Sequence, residues 1–278
     1  QRVLRRSLKL ANAPAVAEFD LSQSGTMGLS LVRCRGRVAQ SEKKKNSLLK
    51  ELRKQSRFLW GLDDDIKGYH ALMASDPHLA SLHAQFGALS IVRAPDMYEA
   101  LLVAVLGQQI SVHAAQAVRR RLMQNMGTRI TVATTFGKEH YHLYPAPRQL
   151  IEAGELALRE LGVSRQKAFY LLQIAKCAVA GELDRSVFKT LSDEDALRRL
   201  CEIKGVGRWT AEVALMRGLG RPDVFPAGDF GLQVAVQLLW GMTERPSEKD
   251  LRKIAECWMG WQSYAAFYLW MTLQRRAL

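Results

Sequence analysis

Leu200-Cys201-Glu202-Ile203-Lys204-Gly205-Val206-Gly207-Arg208-Trp209-Thr210-Ala211 is the stretch on which the fold turns. Two glycines one residue apart join a helix expected to end near Cys201 to one expected to start near Arg208. Glycine permits positive φ and lets another backbone approach closely. The helix that follows begins with N–H groups that have no intrahelical partner, and such groups suit a phosphate. Val206 can point into the core and pin the turn, with Lys204 and Arg208 flanking it. Alone, the pattern also describes an ordinary tight turn between two helices.

Working outward, helix punctuation recurs from about residue 63 onward and strand patterns are scarce. Downstream of the glycine turn, the nearly apolar run Leu232–Trp240 reads as a buried helix, with Asp229 just before it. Ser247 with Asp250 resembles a capping box, and a last helix is expected over about 263–275. Upstream, Ser192 followed by Asp193, Glu194 and Asp195 suits the positive end of a helix dipole. Ser164 caps a helix with apolar Ala168, Leu171, Leu172, Ala175 and Ala178 at helical spacing, closed by Gly181. Another helix runs from Pro147 to Gly162. Pro95-Asp96 opens one towards Gly107, and Ser111 caps one that carries Arg119–Arg121 and ends near Gly127. Residues 128–144, rich in Thr and aromatics, leave room for a short hairpin. The body is therefore expected to be all-α.

The N-terminal 60 residues differ. Of the formal charge of +13 on 278 residues, ten units lie here, because 14 Lys/Arg face only 4 Asp/Glu. Arg33, Arg35 and Arg37 alternate with Val32, Cys34 and Val38, the period of a half-buried strand with a basic outer face. Lys43–Lys45 are expected in a loop, and Leu48, Leu49, Leu52 and Leu59 at the start of a helix. The expected division is a basic α/β segment over 1–60 and a helical domain over 61–278. Such a charge favours a polyanionic partner, nucleic acid first and an anionic membrane surface second. The apolar run Ala100–Leu106 is far short of the roughly 20 residues of a membrane span. No apolar core follows Arg2, Arg5 and Arg6, so a secretory signal is not expected. The cysteines at 34, 177, 201 and 257 are spaced too irregularly for a zinc knuckle or disulfide framework, and free thiols in a reducing cytoplasm are expected.

The glycine turn resembles the helix-hairpin-helix of the DNA glycosylase superfamily. Val224-Phe225-Pro226-Ala227-Gly228-Asp229-Phe230-Gly231-Leu232 is similar to that superfamily's Gly/Pro-rich loop with its catalytic aspartate. Leu106-Gly107-Gln108-Gln109-Ile110-Ser111-Val112 is similar to the DNA-facing turn of the alkylbase branch. Tyr144-Pro145-Ala146-Pro147, Gly162-Val163-Ser164-Arg165-Gln166-Lys167-Ala168 and the segment Trp261–Trp270 resemble further signatures of that branch. In order and spacing these cover about residues 90–275. The chain thus resembles the bacterial 3-methyladenine DNA glycosylase II family. The implied fold is mostly α: two helical subdomains of the helix-hairpin-helix glycosylase type, with a small α/β segment of antiparallel strand at the N-terminus.

The resemblance assigns roles. Asp229, by position an ordinary helix N-cap, matches the catalytic aspartate. A carboxylate anion there stabilises the oxocarbenium character of a breaking N-glycosidic bond and orients or deprotonates the attacking water. Trp209, Phe230 and Trp270 match positions lining the base pocket, where aromatic faces favour a cationic alkylated purine. Gln109 matches the residue that wedges into the duplex when the base is flipped out. Gly205, Gly207, Arg208 and Thr210 match positions that hold DNA phosphates. The main-chain carbonyls of Cys201, Ile203 and Val206 match those holding a monovalent cation, K+ or Na+.

No organic cofactor is implied. An iron–sulfur cluster is not expected either, because the C-terminal part offers Cys257 rather than four clustered cysteines. Strand-cutting members carry lysine where this chain has Trp209, so hydrolysis without lyase activity is expected. The implied partner is double-stranded DNA containing alkylated bases, with no membrane, and the implied protein is a monomer in the cytoplasm with the bacterial nucleoid. Gly260 and Gln262 stand where the C-terminal signature usually has proline and arginine, and Val213 replaces an aromatic of some relatives. Two alternatives remain open: a glycosylase for other damaged bases, and a non-catalytic module that clamps phosphate with the hairpin.

Overall fold

The computed structural model describes residues 2–10, 13–21, 27–34, 42–87, 89–134 and 137–274. Side chains are described from residue 46 onward, save at 48, 49, 132–134, 137, 138 and 274. Three strands come first: β1 (Arg2–Leu10), β2 (Ala13–Leu21) and β3 (Met27–Cys34). Helices α1 (Glu42–Leu59), α2 (Lys67–Ser75), α3 (Ala80–Phe86), α4 (Met97–Gly107) and α5 (Val112–Met126) follow. A hairpin of β4 (Arg129–Thr134) and β5 (Gly137–His142) precedes α6 (Pro147–Glu160), α7 (Arg165–Val179), α8 (Arg185–Phe188) and α9 (Asp193–Cys201). After the glycine turn come α10 (Arg208–Ala214), a π-helical turn (Leu215–Leu219), α11 (Phe230–Leu239), α12 (Glu248–Ala255) and α13 (Gln262–Gln274). The chain is mostly helical, with antiparallel strands, as the resemblance implies.

It forms two compact units: residues 1–57 with 109–179, and residues 58–108 with 180–278. The first is discontinuous, so the units do not simply separate an N-terminal segment from the helices after residue 60. In it, β1 pairs antiparallel with β2 from Arg2↔Leu21 to Leu10↔Ala13, and β2 with β3 from Leu21↔Met27. The sequence pattern points only to the third strand. Arg5-Arg6-Ser7 interrupts the alternation of β1, which hides it. Arg33 lies within β3, whereas Arg35 and Arg37 fall outside the described residues. Lys43–Lys45 belong to the first turns of α1, not to a loop. Lysine and glutamate are good helix formers, and Leu52, Ser56 and Leu59 recur on one buried face. The hairpin left open over 128–144 is present, in register Arg129↔His142. Helices α6 and α7 pack as a pair, and Arg121 Nε of α5 donates to the Leu161 carbonyl at their turn, at 2.7 Å.

The second unit holds the glycine turn and Asp229. Its core joins Tyr69 and Met73 of α2, Leu82 of α3, Leu232, Ala235 and Val236 of α11, Leu251 of α12, Trp258, and Tyr264, Tyr268 and Leu269 of α13. Tyr264 is 1% exposed. Helix α4, capped by Asp96 through the Glu99 N–H at 2.7 Å, packs against α10 and the π-helical turn. Serine caps form at Ser192 and Ser247 through the N–H of Asp195 and Asp250. Burying the apolar stripe of α11 against α13 fixes the start of α11 in space, and with it Asp229.

Candidate active site

Asp229 sits where the loop 224–229 becomes α11. The loop is held from two sides. Ser263, fully buried on α13, receives the Val224 N–H at 3.0 Å. Arg252 of α12 donates Nη1 to the Phe225 carbonyl at 3.3 Å. Pro226 turns the chain, with the Asp229 N–H donating to its carbonyl at 2.8 Å.

The Asp229 carboxylate is half-buried and accepts three N–H bonds. As N-cap it takes the Leu232 N–H on Oδ1 at 2.9 Å. The indole Nε1 of Trp270 also donates to Oδ1, at 2.9 Å. The indole Nε1 of Trp209 donates to Oδ2, at 3.0 Å. Two tryptophans from α10 and α13 thus meet the carboxylate edge-on and hold it in one orientation. A bond to a charged acceptor contributes about 1.5–3 kcal/mol net, so the orientation is strongly specified. Such a fixed anion stabilises positive charge developing opposite it without having to reorganise first.

Phe230 is not brought into this cluster. The residue is 65% exposed, and the guanidinium carbon of Arg245 lies 4.4 Å from the ring centroid. It forms no enclosed wall, because α11 starts with Phe230 on its solvent side.

The hairpin runs from α9 to α10. Gly205 has φ +93, a conformation that glycine adopts readily. Val206, 3% exposed, faces the core as its position between the glycines suggests. Gly207 is the N-cap of α10 with φ −86, and a Cβ there would meet nothing within 4 Å. Internal packing therefore does not demand glycine at 207, whereas a ligand approaching the backbone would. The first N–H groups of α10, from Arg208 to Thr210, lack intrahelical partners.

Two expected phosphate residues carry other bonds. The Thr210 side chain is 1% exposed, and its Oγ1 accepts Gln108 Nε2 at 2.8 Å. Its hydroxyl is thus occupied by the protein, leaving its main chain for an outside ligand. Arg208 is half-exposed and pairs with Glu212 at 3.0 Å and Glu194 at 3.7 Å.

Gln109 is exposed in the turn between α4 and α5, with φ +56, uncommon for a residue other than glycine. Among the carbonyls matched to a cation, that of Ile203 accepts the Val206 N–H at 2.9 Å. Carbonyl oxygen carries two lone pairs, so this bond leaves room for an ion. Neutral carbonyl donors of this kind suit K+ or Na+ chemically.

Three features escape the sequence reading. Gln108 Nε2 also donates to the Gly205 carbonyl at 3.1 Å, tying the end of α4 to the hairpin. Its neighbour Gln109 carries the family match, and nothing local distinguishes the two. Glu212, with its side chain 2% exposed, receives Arg208 at 3.0 Å and Arg252 Nη1 at 2.9 Å. Arg252 so joins α10 to the loop before Asp229. Burial pushes the Glu212 carboxyl above the usual glutamate range, against the opposing pull of Arg252 and Arg208. An acidic residue four positions after Arg208 is the one signal for that pair. Arg245 has no such signal.

Residues 102–260 match the HhH-GPD superfamily base excision DNA repair protein family. The DNA-3-methyladenine glycosylase of Bacillus subtilis is 32% identical over 212 residues, which is 76% of this chain and 69% of that protein. The 3-methyladenine DNA-glycosylase from Archaeoglobus fulgidus superposes with a TM-score of 0.81 at 25% identity, over 97% of this chain and 86% of that one. The 3-methyladenine DNA glycosylase of Schizosaccharomyces pombe, solved in complex with abasic DNA, superposes with a TM-score of 0.64 at 27% identity, covering 74% of this chain and 96% of that one. The match spans the hairpin, Trp209 and Asp229 and stops just before the C-terminal signature that begins at Trp261. Hairpin and oriented carboxylate thus fall inside one shared framework, and the chain belongs to the HhH-GPD superfamily of base excision DNA repair proteins.

Proposed function

We propose that this protein is a monofunctional DNA glycosylase that flips out alkylated purines of the 3-methyladenine and 7-methylguanine type and hydrolyses their N-glycosidic bond. The observation that carries the reading is the Asp229 carboxylate, held by the N–H groups of Leu232, Trp209 and Trp270. An alkylated purine bears positive charge and leaves readily. What the site must supply is an anion facing the sugar as it gains oxocarbenium character, and a base for the incoming water. Asp229 does both. Trp209 and Trp270 orient it and offer ring surface to the base, with Phe230 at the rim.

The hairpin N–H groups of Gly205 and Gly207 and the first turn of α10, with Arg208 and the Thr210 main chain, hold phosphate. A monovalent cation on the carbonyls of Cys201, Ile203 and Val206 adds positive charge to that grip. Gln109 fills the gap left by the base. Trp209 stands where a lysine would attack the sugar, and its indole nitrogen is a donor to Asp229. It is no amine nucleophile, so the product is an abasic site in an uncut strand. The protein acts as a monomer on double-stranded DNA, in the cytoplasm with the nucleoid, and needs no organic cofactor or iron–sulfur cluster.

The test is release of methylated base from alkylated duplex DNA by the wild type and by Asp229→Asn. Asparagine caps a helix as well as aspartate does, so the fold is kept while the charge is lost. Release should fall about a hundredfold or more, without strand cleavage and without borohydride trapping of either protein on DNA. Equal release by both proteins removes Asp229 from the chemistry. Trapping by borohydride removes the monofunctional assignment. Binding without release of any base favours a phosphate clamp.

A further inference from the structure

Among the described residues, Arg208, Arg252, Arg217 and Arg245 stand on elements around Asp229, and the first three are engaged by protein. Arg208 pairs with Glu212 and Glu194. Arg252 pairs with Glu212 and Glu248 and bonds the Phe225 carbonyl. Arg217 donates to the Val92 carbonyl. The fourth, Arg245, is exposed in the segment between α11 and α12. Among the described residues it makes no ion pair or hydrogen bond, and its guanidinium lies over the exposed ring of Phe230. An arginine stacked on a solvent-exposed ring keeps its N–H fork free. It gives up that contact far more readily than a buried ion pair.

Its location is specific. Phe230 directly follows Asp229, so their Cα atoms are about 3.8 Å apart. A sugar placed against the Asp229 carboxylate carries its own 5′ and 3′ phosphates close to that backbone. The guanidinium, 4.4 Å from the Phe230 centroid, is a cation on the solvent side of the residue next to the carboxylate. It also covers a ring face. A positively charged base could not share that face with a guanidinium, so stacking on Phe230 requires Arg245 to leave.

We propose that Arg245 is a DNA-phosphate contact at the target nucleotide, parked on the Phe230 ring in the free protein and drawn off it by a phosphate flanking the lesion. This rests on the DNA glycosylase reading and extends it: engagement of the backbone and exposure of the Phe230 face become one event.

The test is fluorescence anisotropy of the full chain with a labelled duplex carrying a tetrahydrofuran abasic analogue, and with its undamaged counterpart, between about 50 and 200 mM salt. Arg245→Ala should weaken the complex with the abasic analogue about three- to tenfold and the undamaged complex less. It should also reduce the slope of log K against log salt by about one. Arg245→Lys should restore most of that slope. A methylphosphonate at the linkage flanking the analogue should weaken the wild type while leaving Arg245→Ala nearly unaffected, which locates the contact.

An unchanged salt slope overturns the proposal. So does faster base release with full salt dependence, which would make Arg245 only a shield on Phe230. A methylphosphonate effect equal in both proteins overturns the placement. The slope is read without any base release, so a wild type that binds but excises nothing ends the glycosylase reading and leaves the phosphate contact standing. A wild type that binds no DNA ends both.

Discussion

Two of the glycine-bearing turns of the second unit are built for opposite purposes. The hairpin at 202–207 leads into α10 with main-chain groups on offer. Gly207 adjoins open space, and the side chains of Val206 and Thr210 are turned into the protein. The loop at 224–229 leads into α11 with one side chain on offer. Phe225, Pro226 and Ala227 are buried, and three N–H donors converge on Asp229. One turn presents backbone to anything carrying phosphate, whereas the other presents a single oriented anion. Binding and chemistry are therefore separable, and substitutions should divide along the same line.

The loss of about a hundredfold in base release expected for Asp229→Asn leads the ranking, and DNA affinity should scarcely change. Next stands Gly207→Ser. Serine is a good N-cap and has room, so the melting temperature should stay within a few degrees. Its side chain, however, stands where a phosphate would meet the backbone. Affinity for damaged and undamaged duplex should fall together by about tenfold, roughly 1.4 kcal/mol, in anisotropy titrations. A loss of turnover at saturating DNA would break the separation.

Trp209→Phe and Trp270→Phe sharpen it from the other side. Each keeps a ring and deletes one N–H bond to Asp229. Each should lower kcat about three- to tenfold with little change in KM, measured by single-turnover base release. An effect confined to KM would make these rings base walls only. Smallest is the buried pair behind both turns. The Glu212 carboxyl is pushed above its usual range. A raised carboxyl favours folding fully below its unfolded value of about 4.3 and loses that contribution as pH rises through its folded value. Compared with Glu212→Gln, the wild type should lose stability in urea unfolding as pH rises above about 4.3. A gain over that range would show that Arg252 and Arg208 outweigh burial.

How far the sequence carries depends on the range of the interaction. The caps at Asp96, Ser111, Ser192, Ser247 and Asp229 join residues three apart, and each is legible from spacing. The first turns of α1 misread as a loop because lysine runs are at home in both, and propensity is a weak prior. Strand β1 escapes because Arg5-Arg6-Ser7 interrupts its alternation, although its partner β2 follows directly. At the site, Asp229 and the hairpin glycines stand out by pattern. Gln108, Glu212, Arg252 and Arg245 do not, since each acts on a partner from another element.

By itself, the sequence determined most helices from α4 onward, the hairpin glycines and the carboxylate at the head of an apolar helix. All of these follow from neighbours within one or two turns of chain. Only the tertiary structure decided that Trp209 and Trp270 aim their N–H edges at one carboxylate, that Thr210 is closed off by Gln108, and that Phe230 lies outside under Arg245. These depend on how α4, α10, α11 and α13 pack. Side-chain direction across a packed interface is set by the shape of the whole core, which no local pattern records.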